Sequence, residues 1–396
     1  MSQSNISAHD LFDSLNPNAR SAPESGIVEV INHGRDKDGL IPLWAGEGDT
    51  ATPSFIWEAA TRSLAAGETF YTWQRGIPDL RQALARYHDR IYGQGHDPER
   101  FFVTGSGMQS IRIALDLVAS PGDDVVLLTP VWPNFAAAAS IGGVRPVEVA
   151  LDFDTNRWSL DPERLAAAIT PKTRAIFVNT PNNPTGWTAS ADELRAILDL
   201  ARKHGLWIIA DEIYGRFYFR GDRAPSFRDH ADPGERVLYV NTFSKNWAMT
   251  GWRIGWIEAP AELGQVIENL IQYATSGVAG FMQRAGVAAL DQGEDFSRHL
   301  IQQARSGRDI VCGRLRKTGR VRFAEPDGAF YLFFALEGEP DTDQLGLTLV
   351  DQAGVGMAPG RAFGDAGKGF IRLCFLRSDR VLNQAAERLA VWIEQR

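Results

Sequence analysis

The run Asn241-Thr242-Phe243-Ser244-Lys245-Asn246-Trp247-Ala248-Met249-Thr250-Gly251-Trp252-Arg253-Ile254-Gly255 decides how the rest of the chain is read. A lysine flanked by hydroxyl-bearing residues, with an arginine eight positions on between two glycines, gathers three things in one segment: an imine-forming amine, phosphate donors and a fixed cation. A pyridoxal phosphate site needs those parts. A lone Ser-Lys pair also describes a solvated loop tip, so the weight falls on what surrounds it.

Outward from this segment, short apolar runs at 101–104, 125–129, 147–151, 175–179, 206–210, 237–241 and 254–257 alternate with helical patterns. Continuous apolar runs, rather than period-two alternation, predict strands buried on both faces of a mostly parallel sheet. Ser190-Ala191-Asp192-Glu193 reads as a capping box. It opens an amphipathic stretch that closes at Lys203-His204-Gly205, where glycine suits a left-handed C-cap. From about residue 261 the pattern becomes long helices, and 321–334 and 369–375 read as strands of a smaller α+β unit. The expected organisation is an N-terminal arm with part of a small domain over 1–45, a large domain over 46–281 and a small C-terminal domain over 282–396.

Bulk properties narrow the function. With 396 residues, 44% hydrophobic and 23% charged, the chain can bury a large core, and no apolar run is long enough for a membrane span. The net charge of −8 opposes non-specific nucleic-acid binding. The first twenty residues lack a basic-then-apolar leader, and the two cysteines, Cys312 and Cys374, are far apart, so a cytoplasmic chain with reduced thiols is expected. The seven histidines show no metal-ligand spacing, and no structural zinc is expected. A small-molecule partner fits best.

Further motifs carry chemistry. Val103-Thr104-Gly105-Ser106-Gly107-Met108-Gln109 follows a strand and opens a helix, so its amides can cradle an anion. Ser110 stands where a dinucleotide fingerprint needs its third glycine, which disfavours a nicotinamide site. Trp132, in Pro130-Val131-Trp132-Pro133, could lie against a flat heteroaromatic ring or simply fill the core. Thr180-Pro181-Asn182-Asn183-Pro184-Thr185-Gly186 reads as a rigid turn. Ile208-Ile209-Ala210-Asp211-Glu212-Ile213-Tyr214 puts a carboxylate at a strand's carboxyl end, where α/β ligand sites form, although a helix cap is an equal reading of Asp211.

In this order and spacing the motifs resemble those of the fold-type I pyridoxal-phosphate enzymes, and the chain resembles the class I/II aminotransferases of the aspartate/aromatic/alanine type. The likeness runs from Leu43-Trp44-Ala45-Gly46-Glu47-Gly48-Asp49 through Tyr71-Thr72, Gly76-Ile77-Pro78-Asp79-Leu80-Arg81, the NNPTG turn, DEIY and SKNWAMTGWRIG. It continues to Pro326-Asp327-Gly328-Ala329-Phe330-Tyr331 and Arg372-Leu373-Cys374-Phe375. The resemblance implies a large α/β domain with a mostly parallel seven-stranded sheet flanked by helices, plus a smaller α+β domain. It also implies that Lys245 carries pyridoxal 5'-phosphate as a Schiff base, that Asp211 pairs with the pyridine nitrogen, and that Asn183 and Tyr214 bond the phenolic oxygen. Ser106, Gly107, Met108 (by its amide), Thr242 and Arg253 would hold the phosphate. Trp132 would stack on the ring, and Tyr71 would reach across from the second subunit of a homodimer. Arg372 would grip the substrate α-carboxylate, with Gly46, Asn183 and Trp132 beside it.

The chain departs from the family pattern in places. Gly48 stands where many members carry proline, Met108 replaces a commonly polar residue, and 275–281 offers no arginine for a distal carboxylate. Arg75, beside Tyr71, reads as a solvated loop arginine, with reach into a neighbouring pocket as the alternative. The activity implied is ping-pong transamination between an L-amino acid and a 2-oxo acid. The runner-up is a β-eliminating C-S lyase on the same fold. A cofactor-responsive transcription regulator would need a DNA-binding module, and the polar residues ahead of Leu43 show no helix-turn-helix pattern.

Overall fold

The computed structural model describes residues 8–93, 95–154 and 156–396, with side chains from residue 11 onward; residues 1–7 of the expected arm lie outside this range. Each of the seven apolar runs forms a strand: β1 Phe101–Thr104, β2 Asp124–Thr129, β3 Arg145–Ala150, β4 Thr173–Asn179, β5 Trp207–Asp211, β6 Val237–Thr242 and β7 Gly255–Glu258. They make one sheet in the order β1-β7-β6-β5-β4-β2-β3. Only β7 runs antiparallel to its neighbours. The central strands are buried along their length because helices cover both faces, which is why their sequences do not alternate. Helix Ala191–His204 has the expected capping box, Ser190 accepting from Glu193 N while the Glu193 side chain returns to Ser190, and it ends on Gly205 at φ 65.

A second sheet, entirely antiparallel, has the order β8-β9-β11-β10 with β8 Val321–Phe323, β9 Tyr331–Leu336, β10 Ala358–Pro359 and β11 Ile371–Cys374. Helices Glu294–Lys317 and Asp379–Glu394 pack on it. The apolar stretch expected as strand from 321 to 334 is therefore two strands. Residues 324–330 leave the sheet to dock on the turn at 181–186, where Asp327 N and Gly328 N each donate to Gly186 O at 3.2 Å. Ile41–Pro42 pairs with Val355–Gly356, which ties the segment leading to Trp44 to this second unit. Among the described residues no helix is long and apolar enough to cross a membrane.

Candidate active site

The carboxyl ends of β4, β5 and β6 lie side by side, and ligands in open α/β sheets bind beyond such ends. A cavity of about 340 Å³ opens there. Gly46, Gly107, Met108, Trp132, Asn183, Asp211, Tyr214, Thr242, Lys245, Arg253 and Arg372 all line it. Ser106 stands at its edge, its side chain engaged as the N-cap of helix Gly107–Val118 by accepting from Gln109 N at 3.1 Å. Tyr71 is not among the lining residues and is 92% exposed.

Lys245 follows β6, and its Nζ donates to Gly46 O at 2.8 Å. Burial pushes its ammonium down to about 8, against the opposing pull of Cys374 and Glu47. Asp211 ends β5 fully enclosed, and burial pushes its carboxyl up to about 7, with the Ile213 amide and the Lys245 charge pulling the other way. Both groups therefore change charge near neutrality, a displacement common among groups gathered in functional clefts. The turn after β4 is held by Asn183 N donating to Asn179 Oδ1 at 2.8 Å, which aims Asn183 into the cavity.

Arg372 on β11 is 2% exposed and donates through Nη1 to Asn183 Oδ1 at 3.0 Å and through Nη2 to Trp44 O. Its Nε is buried with no hydrogen-bond partner among the described residues. Arg253, at φ 53, donates to Thr250 O at 2.7 Å. Among the described residues neither arginine, nor Lys245, forms a salt bridge. For Arg372 this is unusual, because a buried charge calls for a counter-charge; Lys245 is half-buried and Arg253 is exposed at the mouth of the cavity. The phosphate end fits too: a Cβ on Gly255 would meet Asn241 O at 2.7 Å and Gly107 N at 3.0 Å, so the glycine lets that strand pack directly against the amide at the helix start. The cavity thus suits a dianion at Arg253 and the helix start, a carboxylate at Arg372, and an aldehyde at Lys245.

Tyr331 lines the cavity too, its hydroxyl 2.7 Å from that of Tyr214 and its ring 4.7 Å from the Arg372 guanidinium carbon. Its motif is visible in sequence, but its place opposite Tyr214 depends on strand pairing across β9 and β11. Asn179 and Ile27 are further lining residues that sequence reasoning missed, of which only Asn179, the polar end of an apolar strand, carried a signal; Ser244, the hydroxyl beside Lys245, lines the cavity as well. Arg75 is neither solvated nor directed at this cavity: it pairs with Glu99 at 2.6 Å and Glu268 at 3.4 Å.

Two other places were candidates. A cleft of about 470 Å³ lies behind the Thr185-Gly186 turn and gathers none of the site residues, and its Arg220 is paired with Asp327 at 2.7 Å. Buried His88, His96 and Glu258 sit close enough to share a metal ion. However, Glu258 already receives Arg228 at 2.7 Å and Arg100 at 3.2 Å, and a divalent cation would sit against two guanidinium groups.

Residues 38–389 match the family described as aminotransferase class I and II. The chain is 32% identical over 373 residues to an aspartate aminotransferase of Pyrococcus horikoshii, covering 93% of this chain and 95% of that one. It is 31% identical over 384 residues to aromatic-amino-acid aminotransferase 2 of Thermococcus litoralis, covering 96% of each. A mutant aspartate aminotransferase of Thermus thermophilus superposes with a TM-score of 0.88 at 34% identity over 96% of this chain and 99% of that one. With its motifs in order, its sheet carrying them to one cavity and these likenesses along nearly its whole length, the chain belongs to the class I and II aminotransferase family.

Proposed function

We propose that this aminotransferase moves an amino group from an L-amino acid to a 2-oxo acid in a ping-pong cycle, with pyridoxal 5'-phosphate bound to Lys245. The observation that carries the reading is the convergence of Lys245, Arg253 and Arg372, none with a carboxylate partner among the described residues, around the buried Asp211. When bound, the cofactor supplies an aldehyde that condenses with amines and a ring that stores the electrons released at the substrate's α-carbon. Asp211 would hold a proton on the ring nitrogen, and the cation so formed would relieve its own buried charge. Asn183 and Tyr214 would bond the ring oxygen, Trp132 would lie on the ring face, and Gly107, Met108, Ser106, Thr242 and Arg253 would hold the phosphate. Arg372 presents a planar fork for the α-carboxylate, exchanging Asn183 and Trp44 for the substrate. Once free, the Lys245 amine can carry the α-proton, and Gly46 O is placed to hold that amine.

The apolar wall of Ile27, Trp44 and Trp132 supports donors with apolar or aromatic side chains. We read residues 46–281 as the cofactor-binding domain and 282–396, with part of 1–45, as the smaller one. A cytoplasmic homodimer completes the reading. Both cysteines are free, and Tyr71 stands exposed beside Phe70 and Trp73, ready to enter a second copy's site. The relatives reported above are named aminotransferases and give no support to the β-eliminating alternative. The test supplies an amino-acid panel with 2-oxoglutarate and, separately, cystathionine. Glutamate formed from the panel is expected; pyruvate from cystathionine without glutamate formation would reverse the assignment.

A further inference from the structure

Tyr331 lines the cavity, touches three parts of the machinery and has no role in the reading above. Register puts it on the same face of the second sheet as Arg372, because Tyr331 pairs with Cys374 while Phe333 pairs with Arg372. Its ring takes the Arg372 guanidinium on its face at 4.7 Å. Its hydroxyl lies 2.7 Å from that of Tyr214, with the two rings edge to face at 5.7 Å between centroids. That same hydroxyl fills the space over Gly46, where a Cβ would come within 2.5 Å of it, and Gly46 O is the acceptor of Lys245.

A hydrogen bond between two phenols uses one proton and leaves the other for a further acceptor. On the cofactor reading, which this inference rests on, Tyr214 spends its proton on the ring oxygen, so the proton within the pair must come from Tyr331. We infer that Tyr331 is a positioning residue with two separable parts: its hydroxyl donates to Tyr214 and fixes the direction of the Tyr214 proton, and its ring steadies Arg372 for the substrate carboxylate. Donation into Tyr214 also polarises it, which makes it a stronger donor in turn. Burial keeps both phenols protonated across the working range, so the pair holds its two protons throughout. The charged and titratable groups around the pair are Arg372, Asp211, Cys374, Glu47 and Lys245, whose Nζ lies 5.9 Å from the centre of the Tyr214 ring.

The two parts give two readouts. A donor on the ring oxygen competes with the proton shared between that oxygen and the Lys245 nitrogen; weakening the donor lets the proton be held more tightly. In the enzyme loaded with pyridoxal phosphate, the pH midpoint of the visible absorbance band therefore rises by roughly half a unit in Tyr331→Phe. It rises further in Tyr214→Phe, and the double variant matches Tyr214→Phe alone, since Tyr331 acts through Tyr214. Tyr331→Phe keeps the ring, so KM for the amino acid changes less than about twofold, whereas Tyr331→Leu, which lacks it, raises KM about fivefold. Thermal melts confirm that each variant is folded. An unmoved midpoint in Tyr331→Phe, or an equal shift on the Tyr214→Phe background, overturns the inference while the cofactor reading stands. A wild-type protein with no visible band overturns both.

Discussion

Asp211 and Lys245 set the electrostatics of the site, and their displacements have opposite signs for one reason: burial disfavours whichever form is charged. The Asp211 carboxyl sits at about 7 in the fold, above its unfolded value, so its charge costs stability increasingly as pH rises from about 4 to about 7 and by a constant amount beyond. Ligand-free Asp211→Asn should accordingly be more stable than wild type at pH 8, by on the order of 2–4 kcal/mol, with the gap closing as pH falls toward about 4. Melts of both proteins across that range check it, and a gap that is absent at pH 8 or grows on acidification contradicts it. On the proposed reading the same substitution would remove the partner of the ring nitrogen, gaining stability at the expense of turnover, as changes at functional sites often do.

The elements show which features a sequence discloses and which it does not. The inner strands of the large sheet are legible because a strand buried on both faces is apolar along most of its length; the edge strand Arg145–Ala150 is mostly exposed or half-buried and shows through its valines alone, and helix Ala191–His204 is legible because its caps are local. The break between β8 and β9 is not legible. Its cause is non-local: Gly328 packs where a Cβ would meet Pro181 at 2.7 Å, and Ala329 takes φ 58 so that the chain can reach the turn carrying Asn183. Ser106 shows a related limit: the resemblance implies a phosphate contact for it, and its hydroxyl here caps helix Gly107–Val118, a role the sequence reading did not include. Gly46 joins element to site. A methyl group there would displace the Tyr331 hydroxyl, which is bonded and enclosed and has nowhere to go. Gly46→Ala should cost about 1–3 kcal/mol of stability and weaken amino-acid binding. A fully stable variant with unchanged KM would mean that the strap from Trp44 to Glu47 shifts freely.

At the scale of the molecule, the two sheets supply different halves of the chemistry. The parallel sheet brings Asn183, Asp211, Thr242 and Lys245 to its carboxyl edge, and the antiparallel sheet brings Tyr331 and Arg372 to meet them. Phe70, Tyr71, Trp73 and Tyr273 are more than half exposed in the single chain, an apolar display that a second copy would cover. Sedimentation is expected to give a dimer, and Tyr71→Ala to weaken cofactor retention without unfolding the chain; a fully active monomer would remove Tyr71 from the site. The central claim is the bond at position 245. Borohydride reduction of the pyridoxal phosphate-loaded protein, followed by peptide mass mapping, should place a single reduced adduct on Lys245 and none in Lys245→Ala. An adduct on another lysine, or an undiminished one in that variant, would contradict the account.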